Sequence, residues 1–171
     1  MIAFVLLAAV GVARFFFGGD EPIAPPPAAV VEGTFQVKHV IDGDTFRLDD
    51  GRRVRLIGID CPEMFVRSSP DAEPDRTRTE PWAREATAFT KKFIGDGRVE
   101  LRFDRERLDQ YDRLLAYVYK DDQLLNEQLL RAGLAEARLR FHYGDHYKRR
   151  FEKAEQAAKE EALGIWSGRE D

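Results

Sequence analysis

Residues 34–60 read TFQVKHVIDGDTFRLDDGRRVRLIGID, and the way this run is punctuated decides the fold. Phe35, Val37, Val40, Ile41, Phe46, Leu48, Val54, Leu56, Ile57 and Ile59 dominate it, and β-branched and aromatic residues suit a pleated, half-buried surface. Two turn signals interrupt the run, Asp42-Gly43-Asp44 and Asp49-Asp50-Gly51, the second a strong hairpin signal. Three antiparallel strands are expected, with the third continuing to Asp60.

Working outward, Met64 to Glu80 shows prolines, serines and alternating charges without a period, which reads as a long mobile loop. Trp82, Ala86, Phe89 and Phe93 fall on one helical stripe, ending near Gly95-Asp96-Gly97. Val99, Leu101 and Phe103 alternate with charged residues as in a fourth strand, and Leu114 to Tyr119 makes a fifth. Leu124 to Ala132 reads as a short helix closed by Gly133. Tyr147, Phe151, Ala154, Ala158 and Ala162 give a last amphipathic helix, with Ile165 and Trp166 as apolar cover after Gly164. Five short antiparallel strands and three helices fit an α+β chain, mainly a β barrel: a closed five-stranded Greek-key barrel of the OB type. Pattern alone leaves another α+β arrangement open.

Composition agrees with a single domain plus a tail. The chain has 171 residues, 43% hydrophobic and 34% charged, which excludes a disordered chain. Its one cysteine, Cys61, excludes an internal disulfide and a cysteine-rich metal site. A formal charge of −4 does not indicate a strongly basic nucleic-acid binder. Ile2 to Ala13 is uncharged and mostly apolar, the length of a signal-peptide core. Counting Arg14 as a snorkelling residue extends the stretch to Phe17, so an uncleaved membrane anchor is the competing expectation for residues 1–19. Residues 20–33 carry Pro22, Pro25, Pro26 and Pro27 among small residues and read as an extended linker. The folded domain is expected over residues 34–171, a secreted or extracytoplasmic unit.

Chemistry concentrates in Ile41-Asp42-Gly43-Asp44-Thr45 and in Arg55-Leu56-Ile57-Gly58-Ile59-Asp60-Cys61-Pro62-Glu63. A hairpin register can bring the carboxylates together, and clustered hard oxygen suits Ca²⁺. Arg55 shares strand parity with Ile57 and Ile59, on a side where a charge needs a partner, and its planar guanidinium suits a phosphate. Spacing alone leaves open the plainer alternative of acidic turns beside a solvated arginine. His142 and His146 have the spacing of a zinc pair, but no third ligand accompanies them.

These motifs, taken with Ala88-Phe89-Thr90-Lys91-Lys92, Asp109-Gln110-Tyr111-Asp112-Arg113-Leu114-Leu115-Ala116-Tyr117, Asn126-Glu127, Arg131-Ala132-Gly133-Leu134-Ala135 and Gly164-Ile165-Trp166, resemble the staphylococcal-nuclease (thermonuclease) family in order from Phe35 to Trp166. The resemblance implies a Ca²⁺-dependent phosphodiesterase that hydrolyses DNA and RNA to 3′-phosphate products, acting as a monomer and preferring single-stranded or frayed substrate. It implies Asp44 and Asp60 as metal ligands, with the backbone carbonyl of Cys61 where the family usually has threonine, and Asp42 acting behind them through water. Arg55 and Arg113 would hold the scissile phosphate, Glu63 would orient or deprotonate the attacking water, and Tyr111 would sit beside the nucleotide.

Three departures qualify the resemblance. Gln110 stands where the best-known members have a lysine, and Leu139 and Phe141 stand where they have tyrosines near base and sugar. Phe141 can still stack on a base; Leu139 cannot. The loop is longer than in those members, and its Arg67, Arg76 and Arg78 could guide a strand or merely solvate it. A catalytically silent binding module on the same barrel is the rival expectation, which the retention of both arginines, both aspartates and Glu63 opposes.

Overall fold

The computed structural model describes residues 31–65 and 79–168. The expected leader or anchor, most of the expected linker, and Arg67, Arg76 and Arg78 lie outside the described residues.

The chain runs β1 (Gly33–Val40), β2 (Thr45–Leu48), β3 (Arg53–Leu56), β4 (Ile59–Asp60), α1 (Ala83–Ile94), β5 (Arg98–Leu108), β6 (Leu114–Lys120), β7 (Gln123–Leu124), α2 (Leu125–Arg131), β8 (Glu136–Ala137) and α3 (Asp145–Glu160), with a 3₁₀ turn at Gly164–Trp166. Five strands close on themselves. β3, β2, β1, β5 and β6 are neighbours in that order, and β3 pairs back onto β6 through Val54↔Leu114, Arg55↔Leu115 and Leu56↔Ala116. That closing pair is parallel, so the barrel is not wholly antiparallel as the strand pattern suggested. Closure leaves the five without a free edge. Inside lie Val37, Phe46, Leu48, Val54, Leu56, Val99, Leu101, Leu114, Ala116 and Val118, all buried.

The hairpin at Asp49–Gly51 forms as its sequence demands, with the Gly51 amide donating to the Leu48 carbonyl at 3.0 Å. The third strand does not run to Asp60. It ends at Leu56, and Gly58 turns the backbone with φ 77 before β4 pairs with β8 through Ile59↔Ala137 and Asp60↔Glu136. A Cβ at Gly58 would lie 2.7 Å from the Tyr143 ring and 2.9 Å from Phe151, so only glycine fits both the turn and the space.

Helix α1 buries a face rotated from the expected stripe. Ala83, Ala86, Thr87, Thr90 and Ile94 face inward, Phe89 and Phe93 are half-buried, and Trp82 is exposed. The cause is close approach: a Cβ on Gly43 would meet Ala86 Cβ at 2.7 Å and Cys61 Sγ at 2.8 Å, and Thr90 Oγ1 donates to the Gly43 carbonyl at 2.5 Å. Small residues let the helix seat directly on the Asp42–Asp44 turn.

Helix α2 packs on β6 and α3 packs on α2 and β8, and the two helices bury Leu125, Leu129, Leu130, Phe151, Ala154 and Ala158. Buried Asn126 fastens α2 to that seam, its Oδ1 accepting from the Val118 amide at 3.1 Å and its Nδ2 donating to the Ile57 carbonyl at 2.9 Å. Helix α3 ends at Glu160, so Ala162 is exposed beyond it, while Ile165 and Trp166 are half-buried as cover. Among the described residues no helix is long and apolar enough to cross a membrane.

Candidate active site

The ladder between β2 and β3 places Thr45 opposite Arg55, and the Leu56 amide donates to the Asp44 carbonyl at 2.9 Å. Asp44, in the turn just before β2, and Arg55 of β3 are thereby side by side. The glycine turn at 58 then swings Asp60 back toward the same guanidinium. One Arg55 nitrogen pairs with Asp44 Oδ1 and the other with Asp60 Oδ1, while the latter nitrogen also lies 3.3 Å from the Ile59 carbonyl. Val54 and Leu56 point into the barrel, so Arg55 lies on the opposite face, outside the apolar core that strand parity suggested. Its need for a partner is met twice.

Asp44 is 1% exposed and fully engaged. Thr45 Oγ1 donates to its Oδ1 at 3.0 Å, and the Cys61 amide donates to its Oδ2 at 2.6 Å. Asp42 stands just behind, with its Oδ1 accepting from the Asp44 amide at 3.2 Å. Burial raises Asp42 above the ordinary carboxylate range, against the opposing pull of Arg55, the Thr45 hydrogen bonds and Arg113. Cys61 is buried and burial pushes its thiol well up, which removes it as a nucleophile.

Arg113 arrives from the turn that precedes β6. Asp109 shapes this turn by accepting from the Tyr111 amide at 2.9 Å and the Arg113 amide at 3.0 Å, and its second oxygen takes the Arg113 Nε at 2.6 Å. The two terminal nitrogens of Arg113 are not used by this carboxylate. Its guanidinium also lies 5.5 Å from the Tyr111 ring centre. Arg55, Asp60, Arg113, Tyr111 and Phe141 line one cleft of about 560 Å³, with Phe141 64% exposed. His142 lines it too, whereas His146 packs edge-on against Tyr147.

Glu63 belongs to an adjoining cleft, also about 560 Å³, that shares Asp60 and Arg138 with the first. The Glu63 amide donates to Glu80 Oε2 at 2.8 Å and the Glu80 amide to the Glu63 carbonyl at 3.1 Å, so the two ends of the long loop are tied together at this residue. Glu63 is exposed as a residue, but its carboxyl sits against surrounding protein. That desolvation, followed by the charges of Asp42, Asp60 and Glu80, raises it above the usual value, with Arg55 pulling the other way.

Among the described residues no three His, Cys, Asp or Glu side chains gather closely enough to hold an ion by themselves. Asp44 and Asp60 nevertheless converge on one cationic group, and their donor atoms are hard oxygens of the kind a Ca²⁺ or Mg²⁺ ion takes, with backbone and water oxygens completing the shell.

Arg138 is the residue that sequence reasoning missed. It pairs with Asp60 Oδ2 and lines both clefts, across 78 positions of chain. No local motif marks it, because its place depends on the β4–β8 pairing. Asp109 is the second omission, and its signal was present: an acid four residues before Arg113 at the mouth of a turn.

Over residues 53–168 the chain matches the protein family described as staphylococcal nuclease homologue. It is 38% identical over 168 residues to the thermonuclease of Staphylococcus intermedius, covering 95% of each chain. It is 36% identical over 139 residues to the thermonuclease of Staphylococcus hyicus, covering 80% of this chain and 77% of that relative. To endonuclease YncB of Bacillus subtilis strain 168 it is 34% identical over 131 residues, covering 74% and 58% respectively. The chain belongs to the staphylococcal nuclease family.

Proposed function

We propose that this family member, a nuclease and so a phosphodiester hydrolase, cleaves DNA and RNA in a Ca²⁺-dependent reaction that leaves a 3′-phosphate and a free 5′-hydroxyl. The observation that carries the reading is the convergence of Asp44 and Asp60 on Arg55 at the edge of a cleft that also holds Arg113, Tyr111 and Phe141. Two guanidiniums in one cleft suit a phosphodiester, whose negative charge grows on the equatorial oxygens as the bond to the leaving oxygen lengthens. Tyr111 and Phe141, both exposed, suit the face of an unpaired base, which favours single-stranded or frayed substrate.

Asp44, Asp60 and the Cys61 carbonyl are the groups that would hold the ion, with Asp42 behind them. When bound, Ca²⁺ supplies positive charge that offsets the charge building on phosphate oxygen. Arg55 and Arg113 hold the phosphate in line for attack, Arg113 with the two terminal nitrogens that Asp109 leaves unused. Glu63 takes a proton from the attacking water, and its raised carboxyl favours that acceptor role near neutral pH. We place the chain outside the cytoplasm, as a monomer, with residues 1–19 as leader or anchor.

The test is a digest of single-stranded DNA by residues 34–171 with Ca²⁺ or with chelator, followed by end-group analysis. Cutting that needs Ca²⁺ and leaves 3′-phosphate ends is expected. Metal-independent cutting or 5′-phosphate ends would defeat the mechanism, and binding without cutting would make the chain a binding module.

A further inference from the structure

Asp60 is held by two guanidiniums, and only one has a part in the chemistry described above. The second is that of Arg138. The β4–β8 register sets Asp60 opposite Glu136, and the Arg138 amide donates to the Gly58 carbonyl at 2.8 Å, so the Arg138 side chain starts beside Asp60. One of its terminal nitrogens binds Asp60 Oδ2, and the other stays 3.7 Å from Glu136 Oε2.

The two arginines are not held alike. Arg55 is 15% exposed and engaged by Asp44, by Asp60 and by the Ile59 carbonyl. Arg138 is 42% exposed, has Asp60 and a loose contact to Glu136, and stands on the wall between two open clefts.

We propose that Arg138 is a displaceable counter-ion of Asp60: it holds the carboxylate while the site lacks an ion and leaves when Ca²⁺ binds, and so lowers the Ca²⁺ affinity of this chain. The inference rests on the Ca²⁺ site proposed above and concerns a residue outside that ligand set. Three cationic groups around one carboxylate repel one another, so the arrival of a divalent ion must expel one. Arg138 gives way because its half-exposed head group regains water at once, whereas Arg55 is largely buried and held by Asp44, Asp60 and the Ile59 carbonyl together. Both consequences of removing Arg138 act in the same direction. A competitor for Asp60 disappears, and so does a positive charge beside the bound ion. Arg138 is thus a positioning residue whose effect is read in metal affinity.

The experiment is a calorimetric Ca²⁺ titration of the full chain without nucleic acid, comparing wild type with R138Q, R138A and R138K. R138Q and R138A differ in size, so the result does not hang on the folding of one variant. Both neutral variants are expected to bind Ca²⁺ about three- to fivefold more tightly, the scale of a half-exposed ion pair. R138K keeps the charge and should stay near wild type. Unchanged or weaker binding by both neutral variants, with wild type binding normally, overturns the counter-ion role alone. Failure of the wild type to bind Ca²⁺ removes the metal site itself and this inference with it.

Discussion

Asp44 and Arg55 form the most buried ion pair among the described residues, with side chains 1% and 15% exposed. The pair is fixed from both ends, since the second Asp44 oxygen accepts the Cys61 amide and the second Arg55 nitrogen reaches Asp60. A buried pair contributes little over an apolar substitute, yet removing one partner leaves the other charge stranded. Asp44→Asn should therefore lower the stability of the ion-free protein by about 3 kcal/mol. It should also weaken Ca²⁺ binding, and part of its rate loss should return at high Ca²⁺. Denaturant midpoints in chelator and rates across a Ca²⁺ series check both halves, and a variant as stable as wild type would mean that Asp60 alone satisfies Arg55.

Glu63→Gln keeps the shape of the side chain and the backbone link to Glu80, because that link uses only main-chain atoms of residue 63. Turnover should fall by about 10²-fold or more, the usual scale for a positioned acid or base. Ca²⁺ affinity should remain near that of wild type. Single-turnover rates at saturating Ca²⁺ measure the loss, and a near-normal rate would assign the proton transfer elsewhere.

Arg55→Lys and Arg113→Lys retain charge but lose the planar array of donors that positions the phosphate, so their defect should lie in turnover and should not respond to added metal. Asp109→Asn offers a milder companion. It leaves Arg113 in the chain but loosens the turn and the Nε contact that aim it. A rate between those of wild type and Arg113→Lys is expected. Rescue of the arginine variants by excess Ca²⁺ would show that they act through the metal.

The legible parts of this protein are those set by short-range chemistry. The Asp49–Gly51 hairpin, the alternation of β5 and the amphipathic span of α3 each depend on residues a few positions apart, and each forms. Extending β3 to Asp60 carries strand parity past Leu56, where the ladder ends, and through Gly58, whose positive φ turns the chain. The buried face of α1 departs from the stripe of large apolar residues. Large apolar side chains marked one stripe, but close backbone approach at Gly43 selected the small residues Ala83, Ala86, Thr87 and Thr90. Arg138 was invisible because its partner lies 78 residues away.

Gly58→Ala tests that kink directly. Alanine at φ 77 costs about 1–2 kcal/mol. Overpacking against Tyr143 and Phe151 adds about 1–3 kcal/mol. A total of about 2–5 kcal/mol is expected, together with weaker Ca²⁺ binding, since the kink aims Asp60 at Arg55. Stability loss with unchanged Ca²⁺ affinity would mean that the β4–β8 pairing alone positions Asp60.

Glu127 gives the pH prediction. It is buried on α2, where one oxygen takes Arg131 at 2.7 Å and the other takes Arg150 of α3. Burial pushes its carboxyl up, but the two arginines more than offset this and hold it below the ordinary glutamate value. A carboxyl depressed by folding contributes stability above its unfolded value, near 4.3, and that contribution is lost as pH falls through the lower folded value. Both arginines are partly exposed, so the contribution is modest, about 1 kcal/mol. Glu127→Gln should accordingly be less stable than wild type by a constant amount from pH 8 to pH 5. The gap should narrow below about pH 4.3 as the wild-type carboxyl protonates. Asp104 and Asp109, also depressed, titrate in both proteins and cancel in the comparison. Urea midpoints for the two proteins at pH 7 and at pH 3 measure the gap; one that persists undiminished at pH 3 would show that Glu127 stabilises through packing rather than through its charge.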